Sequence, residues 1–377
     1  MVAKQREETE STFFKKVLSV LYFLLVLYLF FLCIELMGTA FKMFGNEEAK
    51  ALLSVTEDPI VGLLIGILAT SLMQSSSSTT SIVVGMVAAG TVTIENAIPI
   101  VMGANIGTTI TNSIISLGHV QRRAEFERAF SGAVVHDFFN LCTVALFLPI
   151  EVFFHPIRDT AMWLSNSLVG FQGAEFKSPL KAIVKPAVDL LESLGTQMTS
   201  NHKILAGVFL SLALFLLIFT LSRMVKIMRG AMASKLEVVV DRYLFTGVVR
   251  GFVIGMIITA IVQSSSVTTS AVIPLLGAGI VRLEAVFPYM VGANIGTTFT
   301  AVLASLVTGN PAALTVAICH FVFNIFGTAV FLPLKRVPIG LARVLGKVTA
   351  KNRWIALVYV IVVFFLVPAI IIFITRI

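Results

Sequence analysis

Charge is what this chain has least of. Asp, Glu, Lys and Arg make up only 13% of its 377 residues, about half the share a soluble globular domain carries. Histidine (5), cysteine (3) and tryptophan (2) are also sparse. Cys33, Cys142 and Cys319 all sit in apolar blocks, which argues against a disulfide framework and leaves the redox compartment open. So little charge excludes a row of soluble domains. In its place 57% of the residues are hydrophobic, 30 of them Phe, in blocks of roughly 20 that cross about 30 Å of hydrocarbon as helix. The composition predicts an all-α polytopic membrane protein with the lipid bilayer as its surroundings.

The formal charge of +8 does not point to a nucleic acid. The basic residues cluster beside apolar blocks, at Lys15-Lys16, Arg122-Arg123, Arg223 to Arg242 and Lys335 to Arg353, where cytoplasmic segments put them. Residues 1–16 mix acids with bases and lead into a block too long for a signal-peptide core, so 17–37 is read as a retained helix.

The chain repeats itself. Gln74-Ser75-Ser76-Ser77 recurs as Gln263-Ser264-Ser265-Ser266, and Gly103-Ala104-Asn105-Ile106-Gly107-Thr108-Thr109 recurs from Gly292 to Thr298, both at an offset of 189. Residues 74–109 and 263–298 share 20 identities in 36 positions without a gap. The register continues upstream through Gly66/Gly255 and Thr70/Thr259, and downstream at an offset of 184 through His136/His320 and Asn140/Asn324. Such a match marks an internal duplication.

The expected organisation is a cytoplasmic segment 1–16, a first repeat 17–149, an extracytoplasmic linker 150–202, a second repeat 203–334, and a basic cytoplasmic loop with a last span over 335–377. Within the repeats, apolar stretches of about 15 residues flank each Gln-Ser-Ser-Ser, too short to span and predicted to be re-entrant hairpins at 59–90 and 244–280. Three full spans per repeat, at 17–37, 96–117 and 129–149 and then 203–222, 286–307 and 312–334, turn the second repeat over. The basic segments 122–128, 223–242 and 335–353 then share one side, giving inverted-topology repeats.

Hydroxyls and broken backbone in hydrocarbon are costly unless they meet protein or a watery cavity, so the two tips should face each other at one central site. A helix beginning at each tip offers unpaired N–H groups and serine donors, an anion cradle. Carbonyl ends of the preceding arms, with hydroxyl and amide oxygens, are hard ligands for an alkali cation. No Lys or Arg occurs between Pro59 and Gly118, and only Arg282 between Gly251 and Pro311. An anion held there needs bound cations as counter-charge. The bland alternative, small residues packing helices closely, accounts for part of the Gly-Ala-Asn-Ile-Gly pattern. It leaves Asn105 and Asn294 to ligate sodium, cap a broken helix or bond a neighbour. Asp137, a carboxylate in a span with Phe321 at the equivalent place, is a cation ligand or a buried helix tie. Glu95 and Glu284 read as caps or surface residues. The serines with His136 and Asp137 lack a Gly-x-Ser-x-Gly elbow, so a serine hydrolase is not favoured and no enzyme is expected.

The paired QSSS motifs, the GANIGTT segments, the RRAEFERAFSGAVVHDFFN stretch and the FLP endings resemble the type II sodium-phosphate cotransporter family over roughly residues 15–375. The resemblance implies sodium-driven uptake of inorganic phosphate at a plasma membrane, the inner membrane if the member is bacterial, by alternating access and with no cofactor beyond coupling sodium ions. It implies phosphate at Gln74, Ser75, Ser76, Ser77, Ser78, Gln263, Ser264, Ser265 and Ser266. Sodium is expected among Thr79, Thr80, Asn105, Thr108, Asp137, Asn140, Thr268, Thr269, Asn294 and Thr297. An aspartate at position 137 accompanies electrogenic transport in that family. Animal members differ by a glutamine and an aspartate near His119 and Arg122, by a loop with disulfides where 150–202 has no Cys, and by a further helix and tail. A homodimer, another oxyanion or carboxylate as substrate, and a sodium-independent anion channel stay open.

Overall fold

The computed structural model describes residues 2–44, 56–169, 179–243 and 247–375. Among them every regular element is helical. The first half contains α1 (Val2–Phe44), α2 (Pro59–Met73), α3 (Ser76–Ala89), α4 (Ile94–Gly107), α5 (Ile110–Ser116) and α6 (Arg123–Phe154). Two connecting helices follow, α7 (Pro156–Val169) and α8 (Pro179–Met198). The second half contains α9 (His202–Tyr243), α10 (Val248–Val262), α11 (Ser265–Ser270), α12 (Ile273–Ala278), α13 (Leu283–Thr308) and α14 (Pro311–Phe331). The chain closes with α15 (Arg336–Lys351), α16 (Trp354–Ile361), a π-helical turn Val362–Leu366 and α17 (Val367–Ile374). Seven segments among the described residues are long and apolar enough to cross a membrane, three in each half and Trp354–Ile374.

Both predicted hairpins are helix pairs with a turn at the Gln-Ser step. Asp58 caps α2, accepting from the backbone of Ile60 at 2.7 Å, with Pro59 at the first helical position. At 1.5 Å per residue, α2 is about 22 Å long, short of a bilayer. Gln74 then turns left-handed (φ 52°), Ser75 is extended and caps α3 by accepting from the Ser78 N–H, and Gly90 ends α3 at φ 77°. The second hairpin repeats this at Gln263 (φ 58°) and Ser264, which accepts from the Val267 N–H. Its returning arm breaks into α11 and α12, because Pro274 stands where the first copy has Gly85 and cannot donate to the Ser270 carbonyl. Residues 244–246 of the expected second hairpin lie outside the described residues.

Glycines set how closely these arms pack. A side chain at Gly66 would collide with the Ile100 carbonyl and one at Gly103 with the Leu63 carbonyl, so α2 and α4 touch backbone to backbone. Gly255 on Tyr289 and Gly292 on Phe252 do the same for α10 and α13. Gly-Ala-Asn-Ile-Gly is thus a packing seam as well as a polar segment.

Several expectations change. The block 96–117 breaks after Gly107 and resumes at Ile110, whereas its copy runs unbroken from Leu283 to Thr308. The linker 150–202 contains α7 and α8. The expected basic loop over 335–353 is mostly helix: Pro338, Ile339, Ala342, Gly346, Thr349 and Ala350 recur at helical spacing and are buried. The basic segment 223–242 continues α9 as helix.

At one end of α13, Asn310 donates to the Ala88 carbonyl at the mouth of the first hairpin (3.1 Å), and Lys181 donates to the Thr308 carbonyl (3.0 Å) while facing Glu35 (3.3 Å). At the other end, Arg343 pairs with Glu284, and Arg128 grips the Gly277 carbonyl at the mouth of the second hairpin. The two hairpins therefore open toward opposite ends of α13.

Candidate functional site: the paired hairpin tips

The tips meet, as the sequence predicts. Ser77 donates to the Gln263 carbonyl at 3.2 Å, and its counterpart Ser266 to the Thr108 carbonyl at 3.4 Å. Ser76, Ser77, Ser78, Thr79 and Thr80 are buried in the first tip and Ser265, Ser266, Thr268 and Thr269 in the second, with Ser75 and Ser264 half-buried. Each hairpin is tied internally by a threonine pair, Thr70 to Thr79 and Thr259 to Thr268, both at 2.8 Å. Hydroxyls of Thr80, Thr108, Thr269 and Thr297 bond carbonyls of their own helices, Ser76, Ala104, Ser265 and Ala293.

The copies differ in exposure. Gln74 is exposed, while Gln263 is buried and its Oε1 has no hydrogen-bond partner among the described residues. A buried amide oxygen without a donor costs about 1–3 kcal/mol. It is a ready ligand for a cation or a hydroxyl.

The asparagines form a closed ring beside the tips. Asn140 donates to the Asn105 carbonyl (2.7 Å), Asn294 to the amide oxygens of Asn140 (2.8 Å) and Asn324 (2.7 Å), and Asn324 to the His320 carbonyl (3.0 Å). His320 Nε2 closes the circuit on Asn105 Oδ1 at 3.1 Å. Asn105/Asn294 and Asn140/Asn324 are duplicate pairs, so the ring straddles the two repeats. Of the three roles open to Asn105 and Asn294, bonding a neighbour is the one drawn in these contacts. Asp137, fully buried, accepts from the Tyr359 hydroxyl of α16 at 3.1 Å, and its Oδ1 is unpartnered among the described residues. It ties a helix and still has an oxygen to offer.

Three contributors escape the motif search. Asn112 Nδ2 donates to the Thr269 hydroxyl at 2.9 Å, linking α5 to the second tip. Thr300 lies 3.4 Å from Ser77, and Tyr289 donates to the Thr268 carbonyl at 3.1 Å. An asparagine inside an apolar block is the only sequence signal for Asn112, whose copy position holds Ala301.

No group of three His, Cys, Asp or Glu able to hold a metal occurs among the described residues. What the tips offer is neutral oxygen and amide, suited to an alkali ion beside an oxyanion.

Seven helices among the described residues that are long and apolar enough to cross a membrane, together with two half-length hairpins whose buried polar tips touch, define a polytopic membrane protein with an internal polar site. More particularly, the chain belongs to the Na+/Pi-cotransporter family, which it matches over residues 29–171 and 216–349. It is 34% identical to sodium-dependent phosphate transport protein 2B of Pongo abelii, over 91% of this chain and 63% of that protein. Against the Homo sapiens 2B protein it is 33% identical, over 94% and 65%. With the 2A protein of Rattus norvegicus the figures are 34%, 94% and 67%. The chain thus spans about two thirds of the length of the curated relatives it matches. No solved structure matches it.

Proposed function

We propose that this protein is a sodium-coupled importer of inorganic phosphate, built from two inverted repeats and working by alternating access at a plasma membrane. The observation that carries the reading is the meeting of two duplicate tips, Ser77 against the Gln263 carbonyl, where the segments 60–117 and 252–281 supply N–H groups and hydroxyls but no Lys or Arg. The names of the relatives, all sodium-dependent phosphate transport proteins, supply substrate and ion.

Phosphate oxygens take the serine hydroxyls and the first backbone N–H groups of α3 and α11. Their charge is met by sodium ions bound to carbonyl, hydroxyl and amide oxygens, Gln263 Oε1, Asn140 and Asp137 Oδ1 among the candidates. Sodium binds first, lowers the cost of admitting the anion, and only the filled or empty site permits the exchange of access. The hairpins opening toward opposite ends of α13 favour this cycle: tips equal in sequence and unequal in exposure swap environments as access alternates. Asp137 adds a fixed negative charge balanced by a further cation, so each cycle carries net positive charge inward.

Calorimetric titration of the purified protein checks the coupling at equilibrium. Phosphate should bind in sodium and lose at least about tenfold in affinity, roughly 1.4 kcal/mol, when potassium replaces it. Equal affinity in the two salts would remove the coupling, and tighter binding of sulfate would change the substrate.

A further inference from the structure

Far from the tips, at the Leu283 end of α13, a cavity of about 700 Å³ is lined by Arg128, Arg282, Arg343 and Lys347 against Glu127 and Glu284. Its walls therefore carry two more positive than negative side chains. Arg343 is committed to Glu284, and Arg128 directs Nε and Nη2 to the Gly277 carbonyl. Arg282 and Lys347 are exposed, and neither has an acid within ion-pair distance among the described residues.

Exposed apolar side chains adjoin the lining residues along the chain and form a border to them. Val337, Leu341, Val344 and Val348 recur at helical spacing on α15 and stay exposed, opposite the face buried against α6, and Val344 is 63% exposed. Ile280, in the turn between α12 and α13, is 71% exposed. Segment 335–353 has six basic residues and no acid. An amphipathic helix with cations beside an exposed apolar stripe has the makeup of one lying in a headgroup layer.

We propose that this cavity binds a phosphate-bearing anion, with Arg282 and Lys347 as its principal ligands, and that the group belongs to an anionic phospholipid whose chains follow Val344 and Ile280. Guanidinium and ammonium groups are the usual donors to phosphate oxygens, and the apolar border gives a lipid a hold that free phosphate lacks. The occupant also bears on the second hairpin, because Leu276 and Gly279 form part of the wall. Lipid bound here braces the mouth of that hairpin against α15.

The test is binding to the purified full chain in neutral detergent, followed by native mass spectrometry and by melting temperature. The probes are dioctanoyl phosphatidylglycerol, dioctanoyl phosphatidylcholine, and inorganic phosphate without sodium. The proposal expects phosphatidylglycerol to bind at least about tenfold tighter than phosphatidylcholine, and Arg282→Gln/Lys347→Gln to abolish the difference. Sodium-independent phosphate binding lost in the same variant would also support the site and identify its source as free phosphate. Equal binding of the two lipids, or a preference untouched by the substitutions, with no sodium-independent phosphate binding, overturns it. The ligand-free melting temperature shows whether the double variant folds, and the two single variants, each expected to lose part of the preference, serve if it does not. Ser265→Ala, expected to abolish uptake, should leave lipid binding unchanged, so failure at the tips and failure here are separate results.

Discussion

At the residue scale, the tips spend stability on their geometry. Gln74 and Gln263 hold a left-handed backbone that costs about 1–2 kcal/mol for a residue with a Cβ and that glycine adopts freely. A glutamine kept at both tips against that cost points to a side chain with work to do. Gln263→Gly should therefore fold at least as stably as wild type and transport less than about a tenth as much phosphate. Melting temperature together with uptake checks this; full transport would show the amide to be dispensable. Ser76→Ala and Ser265→Ala should likewise lose most uptake with unchanged melting. Asp137→Gly should flatten the voltage dependence of uptake more than it reduces expression, which current recordings at fixed sodium would show.

The duplication made many of these residues legible. Equivalent serines, glutamines and asparagines recurring at offsets of 189 and 184 cannot be accidental, and the structure joins the two halves through Ser77 to Gln263 and Asn294 to Asn140. Single-copy features escaped that comparison: Asn112 faces Ala301 across the repeat, and its bond to Thr269 joins positions that no local pattern links.

At the element scale, the glycine seams fix where the hairpins stand. Gly103→Ala would push a methyl into the Leu63 carbonyl and should cost about 1–3 kcal/mol or prevent folding. Gly118→Ala, into open space, should be neutral within about 0.5 kcal/mol. Comparing the two melting temperatures tests the seam, and equal effects would contradict it. Sequence reading assumed that equal sequences adopt equal shapes. Gly-Ala-Asn-Ile-Gly-Thr-Thr is broken in the first copy and continuous in the second, a difference set by neighbours and not by propensity. Thr111 shows the effect: its copy Thr300 meets Ser77, while Thr111 Oγ1 has no partner among the described residues. Pro274 likewise interrupts the returning arm of the second hairpin alone, whereas Pro99 and Pro288 lie inside helices that run on past them.

At the scale of the whole molecule, opposed hairpin mouths make a topological prediction. In a variant lacking Cys33, Cys142 and Cys319, a cysteine at Ser193 should react with a membrane-impermeant maleimide from outside intact cells, and one at Lys347 only after permeabilisation. Both reacting from one side would contradict the inverted arrangement. The basic segments gave this orientation in the sequence. The helices over 150–202 and 336–351 were not foreseen, because their hydropathy is low and their apolar residues form stripes instead of blocks.

The central claim is that the paired tips couple sodium to phosphate. Radiolabelled phosphate uptake into proteoliposomes containing only this protein, under an inward sodium or potassium gradient with voltage clamped by valinomycin, tests it most directly. The account predicts uptake with sodium alone, faster at inside-negative potential and absent in Ser265→Ala; equal uptake in both salts, or uptake that survives the substitution, would contradict it.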